Sequence, residues 1–408
     1  MSPNPSTRLA ARVVSSWRGP GRAAAVVLAA ITPAALLGPS CLLGGFERVD
    51  APDAAAPDAA PDAAPDVVVE EAGCVNVPIP PPPAEDAGHD AGGDISFVSA
   101  LRSIDLGDTG DTPIGFDLDR TCTCFGEGPS CRPRNLSPDA GFDFDAGTGD
   151  GCDFPGGIDN AGTVLFRILK TASGGSFGSA FYTQLAEVGG WSLLFRVRGY
   201  NGEANDPLVT LDWFVAPNFG GLTPQWNGMD AWPVQDDSTL DSTVNSPKYT
   251  DTNAFVTDRV VVASLPNGAA IKLGETTSTM TMKLSGLFLV AEIAPVPGVA
   301  DHALVRGTIA GRWTLEETFK SVSSYRDGNG AGYCTNDLFY NIAKQQICNA
   351  ADIPSGTAGP TAPCDALSLG LAFTAYPAQL GTVTPPGSPP GPACLPEFDP
   401  ASDSCDAP

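Results

Sequence analysis

Histidine and cationic side chains are scarce in this chain of 408 residues. There are two histidines, His89 and His302, and 22 Lys and Arg stand against 47 Asp and Glu, which gives a formal net charge of −25. Two histidines cannot build a His-rich metal centre, and so negative a chain repels phosphate backbones, which argues against nucleic-acid binding. Divalent cations, calcium above all, are the partners that this composition favours.

The chain also lacks an apolar run long enough to cross a bilayer as a helix. Its most apolar stretch, residues 23–37, is broken by Pro33 and follows a segment with four arginines, from Arg8 to Arg22. This arrangement is typical of an export signal. The stretch ends at Ser40-Cys41, which resembles the lipid-modified cysteine of bacterial lipoproteins. We therefore expect residues 1–40 to be removed and Cys41 to carry a lipid that holds the chain at the outer membrane or cell surface. The alternative is ordinary secretion with Cys41 unmodified.

The cysteine count agrees with export. Eleven cysteines are an odd number, and ten remain for disulfides when Cys41 is set aside. Their spacing suggests one cluster within Cys122–Cys152, a second among Cys334, Cys348 and Cys364, and a short loop Cys394–Cys405. A zinc site at Cys122 and Cys124 fits less well, because the usual gap of two to four residues is missing and no histidine is near.

Composition divides the chain into four parts. Ala51–Asp66 contains only Ala, Pro and Asp, which predicts an extended, self-repelling spacer, and we assign residues 41–94 to this tether. Residues 95–383 form the predicted folded domain, with a Cys- and Asp-rich insert at about 115–160. Residues 384–408 form a Pro-rich, disulfide-linked tail after the domain.

Alternation of apolar and polar residues predicts strands through the middle of the chain. In Trp191–Arg198 one set of alternate positions is wholly apolar and the other carries Arg196 and Arg198. Similar runs follow up to Trp313, and Ala366–Tyr376 closes the series. We predict a mainly β fold, an antiparallel β-sandwich of jelly-roll or lectin type with disulfide-pinned loops.

A few short peripheral helices are expected around the sheets. Asp159 can cap a helix over Asn160–Lys170, and a second helix follows from Phe177 to Val188. Thr314 and Glu317 form a capping box at the start of a third helix. Asp337–Asn349 is also predicted to be helical, with Leu338, Ile342, Ala343 and Ile347 facing inward.

Alternating aspartates in the insert suggest a calcium site. Asp143, Asp145, Asp150 and Asp153 lie in a short stretch with three glycines between the second and the last, as in loops whose carboxylates converge on Ca²⁺. No Glu stands at the closing position of an EF-hand loop. The alternative is a solvated loop held by disulfides.

A tryptophan-rich loop suggests ligand recognition. Trp226, Asn227, Asp230, Trp232 and Asp236 combine flat apolar rings with amides and carboxylates, which is what a sugar site requires. The alternative is that Trp226 and Trp232 plug one end of the domain.

A serine hydrolase is the enzymatic alternative. Gly174-Gly175-Ser176-Phe177-Gly178 matches the G-x-S-x-G elbow, and His302 lies downstream. That elbow belongs to a fold of alternating helices and parallel strands, which the strand series does not supply.

Four motifs spread over Gly157 to Leu380 resemble a group of uncharacterised lipoproteins of myxobacterial type. They are Gly157-Ile158-Asp159-Asn160, Gly199-Tyr200-Asn201-Gly202 with Asn205-Asp206, Gly311-Arg312-Trp313, and Pro363-Cys364-Asp365-Ala366-Leu367-Ser368. Those proteins carry a lipoprotein signal, an Ala/Pro/Asp linker and a Cys-rich acidic stretch before one secreted domain. The resemblance implies an envelope address; it implies no activity and no functional residues.

The sequence therefore predicts a cell-envelope lipoprotein whose secreted domain has a binding or structural role, in glycan or calcium-dependent recognition. The expected partners are the outer membrane, through the lipid anchor, and a glycan or an envelope protein. No catalytic residues are assigned, and calcium is the one cofactor expected.

Overall fold

The computed structural model describes residues 75–84, 91–109, 113–124, 127–134, 152–274, 279–327, 329–356, 359–385 and 391–406. The chain divides into two units, Met1–Val68 and Val69–Pro408, and all of these residues belong to the second. The predicted export signal, Cys41, most of the predicted tether and three of the predicted calcium ligands, Asp143, Asp145 and Asp150, lie outside the described residues.

The described part of the chain is mainly β. Its strands are β1 (Ile95–Asp105), β2 (Ser192–Tyr200), β3 (Asp206–Ala216), β4 (Ala231–Gln235), β5 (Tyr249–Thr257), β6 (Val260–Leu265), β7 (Ala269–Leu273), β8 (Met280–Val296), β9 (Ala300–Thr314), β10 (Ala366–Pro377) and β11 (Gln379–Thr384). Its helices are α1 (Thr163–Ala172), α2 (Ser179–Glu187), α3 (Leu315–Ser324) and α4 (Leu338–Asn349).

The main sheet closes into an antiparallel β-barrel, so the predicted β-sandwich is wrong. Eight strands run around it in the order β6-β5-β3-β2-β1-β10-β9-β8, and β8 pairs back with β6. A sandwich would leave the edges of two sheets open, whereas here Val260–Leu265 of β6 pairs with Glu292–Leu287 of β8. Closure removes those edges.

The length of β8 makes this closure possible. At 17 residues it is the longest strand described. Its first part, Met280–Leu284, pairs with β7, and its later part, Leu287–Glu292, pairs with β6. Two short strands in succession therefore share one long partner. An alternating sequence pattern shows that a strand has a buried face, but it does not show which strands pair.

The barrel interior is filled by side chains. Phe195 of β2 packs against Trp213 of β3, with ring centroids 5.2 Å apart, and against Phe373 of β10 at 5.1 Å. All three residues are at most 3 % exposed and belong to one core cluster that includes residues of β6, β8 and β9. Eight strands enclose a space that such side chains just fill, so the inside is a core.

The helices extend this core beyond the barrel. Phe166 of α1 packs on Trp313 at the end of β9, with centroids 6.0 Å apart, and Phe177 packs on Tyr325, which follows α3, at 5.8 Å. The side chain of Thr314 caps α3 by accepting from the amide of Glu317, which confirms the predicted helix start and its cap.

Two details of the helix predictions are wrong. Helix α1 begins at Thr163 with Gly162 in the capping position and without a side-chain cap, so Asp159 does not cap it. In α4, Leu338 is 77 % and Ile342 50 % exposed, against the prediction, whereas Ala343 and Ile347 are buried as predicted, together with Tyr340.

Two smaller apolar clusters lie on the outer face of the barrel. One contains Leu194 and Phe214 and is covered by Trp232 and Val234 from the parallel pair β4 and β11. The other contains Leu118, Ala310, Ile353 and Ala366, with Ile79 and Phe116 packed against it. Apolar side chains are therefore buried on the outer face of the barrel as well as in its interior.

Most of the described disulfides join cysteines from different groups of the predicted grouping. Cys124 pairs with Cys152 as expected within the first cluster, but Cys131 pairs with Cys364, 233 residues away. The two tail cysteines do not form a loop together; Cys394 pairs with Cys334 and Cys405 with Cys348. The suggested second cluster and short loop are therefore wrong.

Among the described helices, none has the length and apolar character needed to cross a membrane.

Truncating a barrel-facing residue of β8 should destabilise the protein strongly. Leu289 is fully buried, between Ala263 of β6 and Ile309 of β9. We expect Leu289→Ala to lower the free energy of unfolding by about 2–5 kcal/mol, because it leaves a cavity at the closure of the barrel. Leu240→Ala is the matched control, since Leu240 is 69 % exposed. Urea denaturation that gives equal midpoints for both variants would contradict the closed barrel.

Candidate metal centre

The Cys-rich segment is attached to the outer wall of the barrel by Asn160. Its amide nitrogen donates to the carbonyl oxygens of Ile114 and Gly370, at 2.8 and 3.0 Å, and its amide oxygen accepts from the Gly370 amide at 2.9 Å. Asn160 is buried, and these bonds join residues 113–119 to β10. The buried amide is therefore satisfied and fixes the position of the loop.

Gly370 permits this close approach. A Cβ atom at this position would lie 2.2 Å from the carbonyl oxygen of Ile114, which is far inside van der Waals contact. The backbone of the Cys-rich segment therefore lies directly on the strand.

Five aspartates collect where this segment meets the barrel; they are called the acid layer here. They are Asp117, Asp119, Asp153, Asp159 and Asp352. One carboxylate oxygen from each of Asp117, Asp119 and Asp159 lies within 4.8 Å of the others. Asp153 lies beside Asp159 and in the field of Asp119 and Asp352. Asp117, Asp153 and Asp159 are 5 %, 4 % and 1 % exposed.

Backbone amides hold most of these carboxylates in place. Asp159 Oδ2 accepts from the amide of Leu118 at 2.6 Å, and Asp153 Oδ2 accepts from that of Thr123 at 2.7 Å. The amide of Thr121 donates to Oδ1 of both Asp117 and Asp119, at 3.1 and 2.9 Å. The orientation of the acid layer is thus set by the loop that supplies it.

Positive charge near the acid layer is limited. Burial raises the pKa of Asp119, and Arg312 of β9 only partly opposes that rise. The Nη2 of Arg312 donates to the carbonyl of Leu118 at 2.6 Å. Among the described residues, no Lys or Arg forms a close ion pair with a member of the acid layer. Asp159 Oδ1 is buried and has no hydrogen-bond partner.

Burial and mutual repulsion make the ionised layer costly. Burial, with the charges of Asp119 and Asp352, raises the pKa of Asp153 to about 8. Burial and the surrounding carboxylates raise the pKa of Asp159 well above its ordinary value. Burial likewise raises the pKa of Asp352 to about 7 and raises the pKa of Asp117. Without a cation the layer therefore retains protons near neutral pH, and a bound cation would replace them.

Asp153 is the one predicted calcium ligand within the described residues, and it does lie among converging carboxylates. The described carboxylates around it belong to Asp117, Asp119 and Asp159, which the sequence prediction did not include. Asp117-Leu118-Asp119 already shows two acids at alternate positions. The sequence prediction assigned Asp159 to a helix cap. Its place beside Asp117 and Asp119 depends on contacts between segments that are distant in sequence, which a local pattern does not show.

Two predicted ligand residues of the tryptophan-rich loop are buried. Trp232 is fully buried against Phe219, with ring centroids 4.9 Å apart. The carboxylate of Asp230 is buried and accepts from the amides of Gln225 and Trp226, at 3.0 and 2.6 Å.

Three predicted ligand residues of this loop reach the surface. Trp226 is half-buried, with the Arg102 guanidinium 5.5 Å from its ring centroid. Asn227 is exposed and Asp236 is half-buried. The loop therefore offers part of the predicted sugar site, without Trp232 and Asp230.

Ser176 and His302 are not brought together. Ser176 lies just before α2, whose Ser179 accepts a hydrogen bond from the amide of Leu106 at the end of β1. His302 packs on Phe97, near the start of β1. These two ends of the strand are about 30 Å apart at the usual rise per residue. The hydroxyl of a nucleophile must lie within hydrogen-bond reach of its base.

No family model, curated protein or solved structure matches this chain. Its architecture and the acid layer are therefore interpreted from their own geometry.

The close contact at Gly370 can be tested by one added methyl group. We expect Gly370→Ala to lower the free energy of unfolding by about 1–3 kcal/mol, because the new Cβ would meet the Ile114 carbonyl. Gly356→Ala is the control, since nothing lies within 4 Å of a Cβ there. If chemical denaturation shows no difference between the two variants, the segment does not lie against β10 as described.

Proposed function

We propose that this chain is an exported cell-envelope protein, anchored through a lipid on Cys41, whose β-barrel has a binding or structural role. The observation that carries the proposal is the state of its cysteines. All nine cysteines within the described residues are disulfide-bonded, from Cys122 to Cys405. The cytoplasm keeps such thiols reduced, so a chain with this many disulfides belongs in an oxidising compartment.

The filled barrel supports a role at the outer surface. Phe195, Trp213 and Phe373 occupy the interior, so partners would contact the loops and the attached outer layers. The distance between Ser176 and His302 favours this role over the serine hydrolase. The net charge of −25 favours partners other than nucleic acid.

Within this role, a glycan contact would use the exposed part of the tryptophan-rich loop. Trp226 offers a partly accessible ring, next in sequence to the exposed amide of Asn227, whereas Asp236 follows the other end of β4. Trp232 and Asp230 of the same loop are buried and would support this surface.

Anchoring can be tested in a bacterial host that processes lipoproteins. We expect the wild-type chain to incorporate labelled fatty acid and to sediment with the outer membrane, because Cys41 would carry the lipid. Cys41→Ser should remove the label and release the protein into the soluble fraction. The control, Cys394→Ser, removes a described disulfide and should keep both label and sedimentation. An unlabelled wild-type chain that fractionates like Cys41→Ser would rule out the anchor.

Glycan recognition has its own test on a glycan array. We expect Trp226→Ala to lose about twofold to tenfold in binding, because an aromatic stacking contact contributes about 0.5–1.5 kcal/mol. Leu240→Ala, an exposed substitution outside this loop, should leave the binding profile unchanged. An identical profile for wild type and Trp226→Ala would exclude this loop as the contact.

A further inference from the structure

The spacing of three carboxylates fits a calcium ion. Calcium takes oxygen ligands at about 2.3–2.6 Å, so ligands on one ion are separated by at most about 5 Å. One oxygen each from Asp117, Asp119 and Asp159 meets this limit, since all three lie within 4.8 Å of one another. They come from two segments, 117–119 and 159, which Asn160 and the loop amides hold against the barrel.

A second observation is that Asp159 has a buried carboxylate oxygen without a hydrogen-bond partner. Asp159 is 1 % exposed, its carboxylate lies among those of Asp117, Asp119 and Asp153, and its Oδ1 has no hydrogen-bond partner. A buried charged oxygen without a partner is strongly unfavourable. The other oxygen of the same group accepts from the Leu118 amide. The unpartnered atom therefore needs a positive ligand that the neighbouring side chains do not supply.

The donor set selects the kind of cation. All the groups that converge are oxygens, and the nearby thiols of Cys122 and Cys124 are consumed in disulfides. Zinc and copper favour nitrogen and sulfur ligands, and magnesium demands a near-ideal octahedron. Calcium accepts an irregular set of carboxylates.

We propose that the acid layer binds one Ca²⁺, with Asp117, Asp119 and Asp159 as ligands and Asp153 beside them. The ion joins the two arms of the Cys-rich segment, residues 117–119 and 152–159, on the outer wall of the barrel. Its charge offsets carboxylates that would otherwise repel one another. The assignment stands on this geometry and is independent of the lipid anchor at Cys41.

Calcium titration of the whole chain, stripped with EGTA, tests the assignment. We expect calorimetry with CaCl₂ to give one tight site per chain and the thermal midpoint to rise on binding. Asp159→Asn keeps an acceptor for the Leu118 amide but removes the charge, so it should weaken binding by about tenfold or more and abolish the thermal shift. Without calcium it should be at least as stable as the wild type, because repulsion is relieved.

Asp230→Asn is the matched control, since Asp230 is also buried but its two carboxylate oxygens are bonded to backbone amides. Its calcium affinity should equal that of the wild type. If Asp159→Asn fails to fold, Asp117→Asn provides the same test. No binding by the wild type at about 10 mM CaCl₂, well above the affinity range of extracellular calcium modules, would overturn the proposal. Unchanged affinity in both ligand variants would place the ion elsewhere and overturn it equally.

Discussion

Negative charge packed against an apolar wall is the constraint on which this structure depends. Asp117, Asp153 and Asp159 are buried next to a cluster that contains Leu118, Ala310 and Ala366. Carboxylates in such surroundings repel one another and lose hydration, so they would separate if they could. Two sets of bonds keep them together, the backbone amides that they accept from and the disulfides Cys124–Cys152 and Cys131–Cys364. A centre of this kind is stable only when protons or a cation compensate its charge.

The barrel provides the rigid surface against which this centre forms. Closure between β6 and β8 and an interior filled by Phe195, Trp213 and Phe373 fix the positions of the strands. Small residues on the outer face, above all Gly370, then let the Cys-rich segment approach to backbone contact. Arg312 extends from β9 to the Leu118 carbonyl at the same place. The Cys-rich segment is therefore held by contacts with the part of the barrel wall where the acid layer lies.

The sequence allowed the strands to be predicted but not their closure. Alternation in Trp191–Arg198 correctly indicated a strand with one buried face, because side chains alternate along any strand. Barrel and sandwich share that pattern, and the difference lies in the choice of β8 as partner for both β6 and β7. The acid layer was hidden for a related reason: Asp119 and Asp159 are far apart in sequence, and the backbone contacts that hold their segments on β10, such as those of Asn160, follow from no local pattern. Asp153 alone was identified, from a local pattern.

The most direct test of the account is a crystal structure grown with calcium and examined by anomalous diffraction. The account predicts one anomalous peak beside Asp159 Oδ1, with carboxylate oxygens of Asp117, Asp119 and Asp159 at about 2.3–2.6 Å from the ion. A structure obtained with calcium in excess, with no peak at the acid layer and with Asp153 and Asp159 in a direct carboxyl-to-carboxylate hydrogen bond, would show that protons alone neutralise it and would contradict the account.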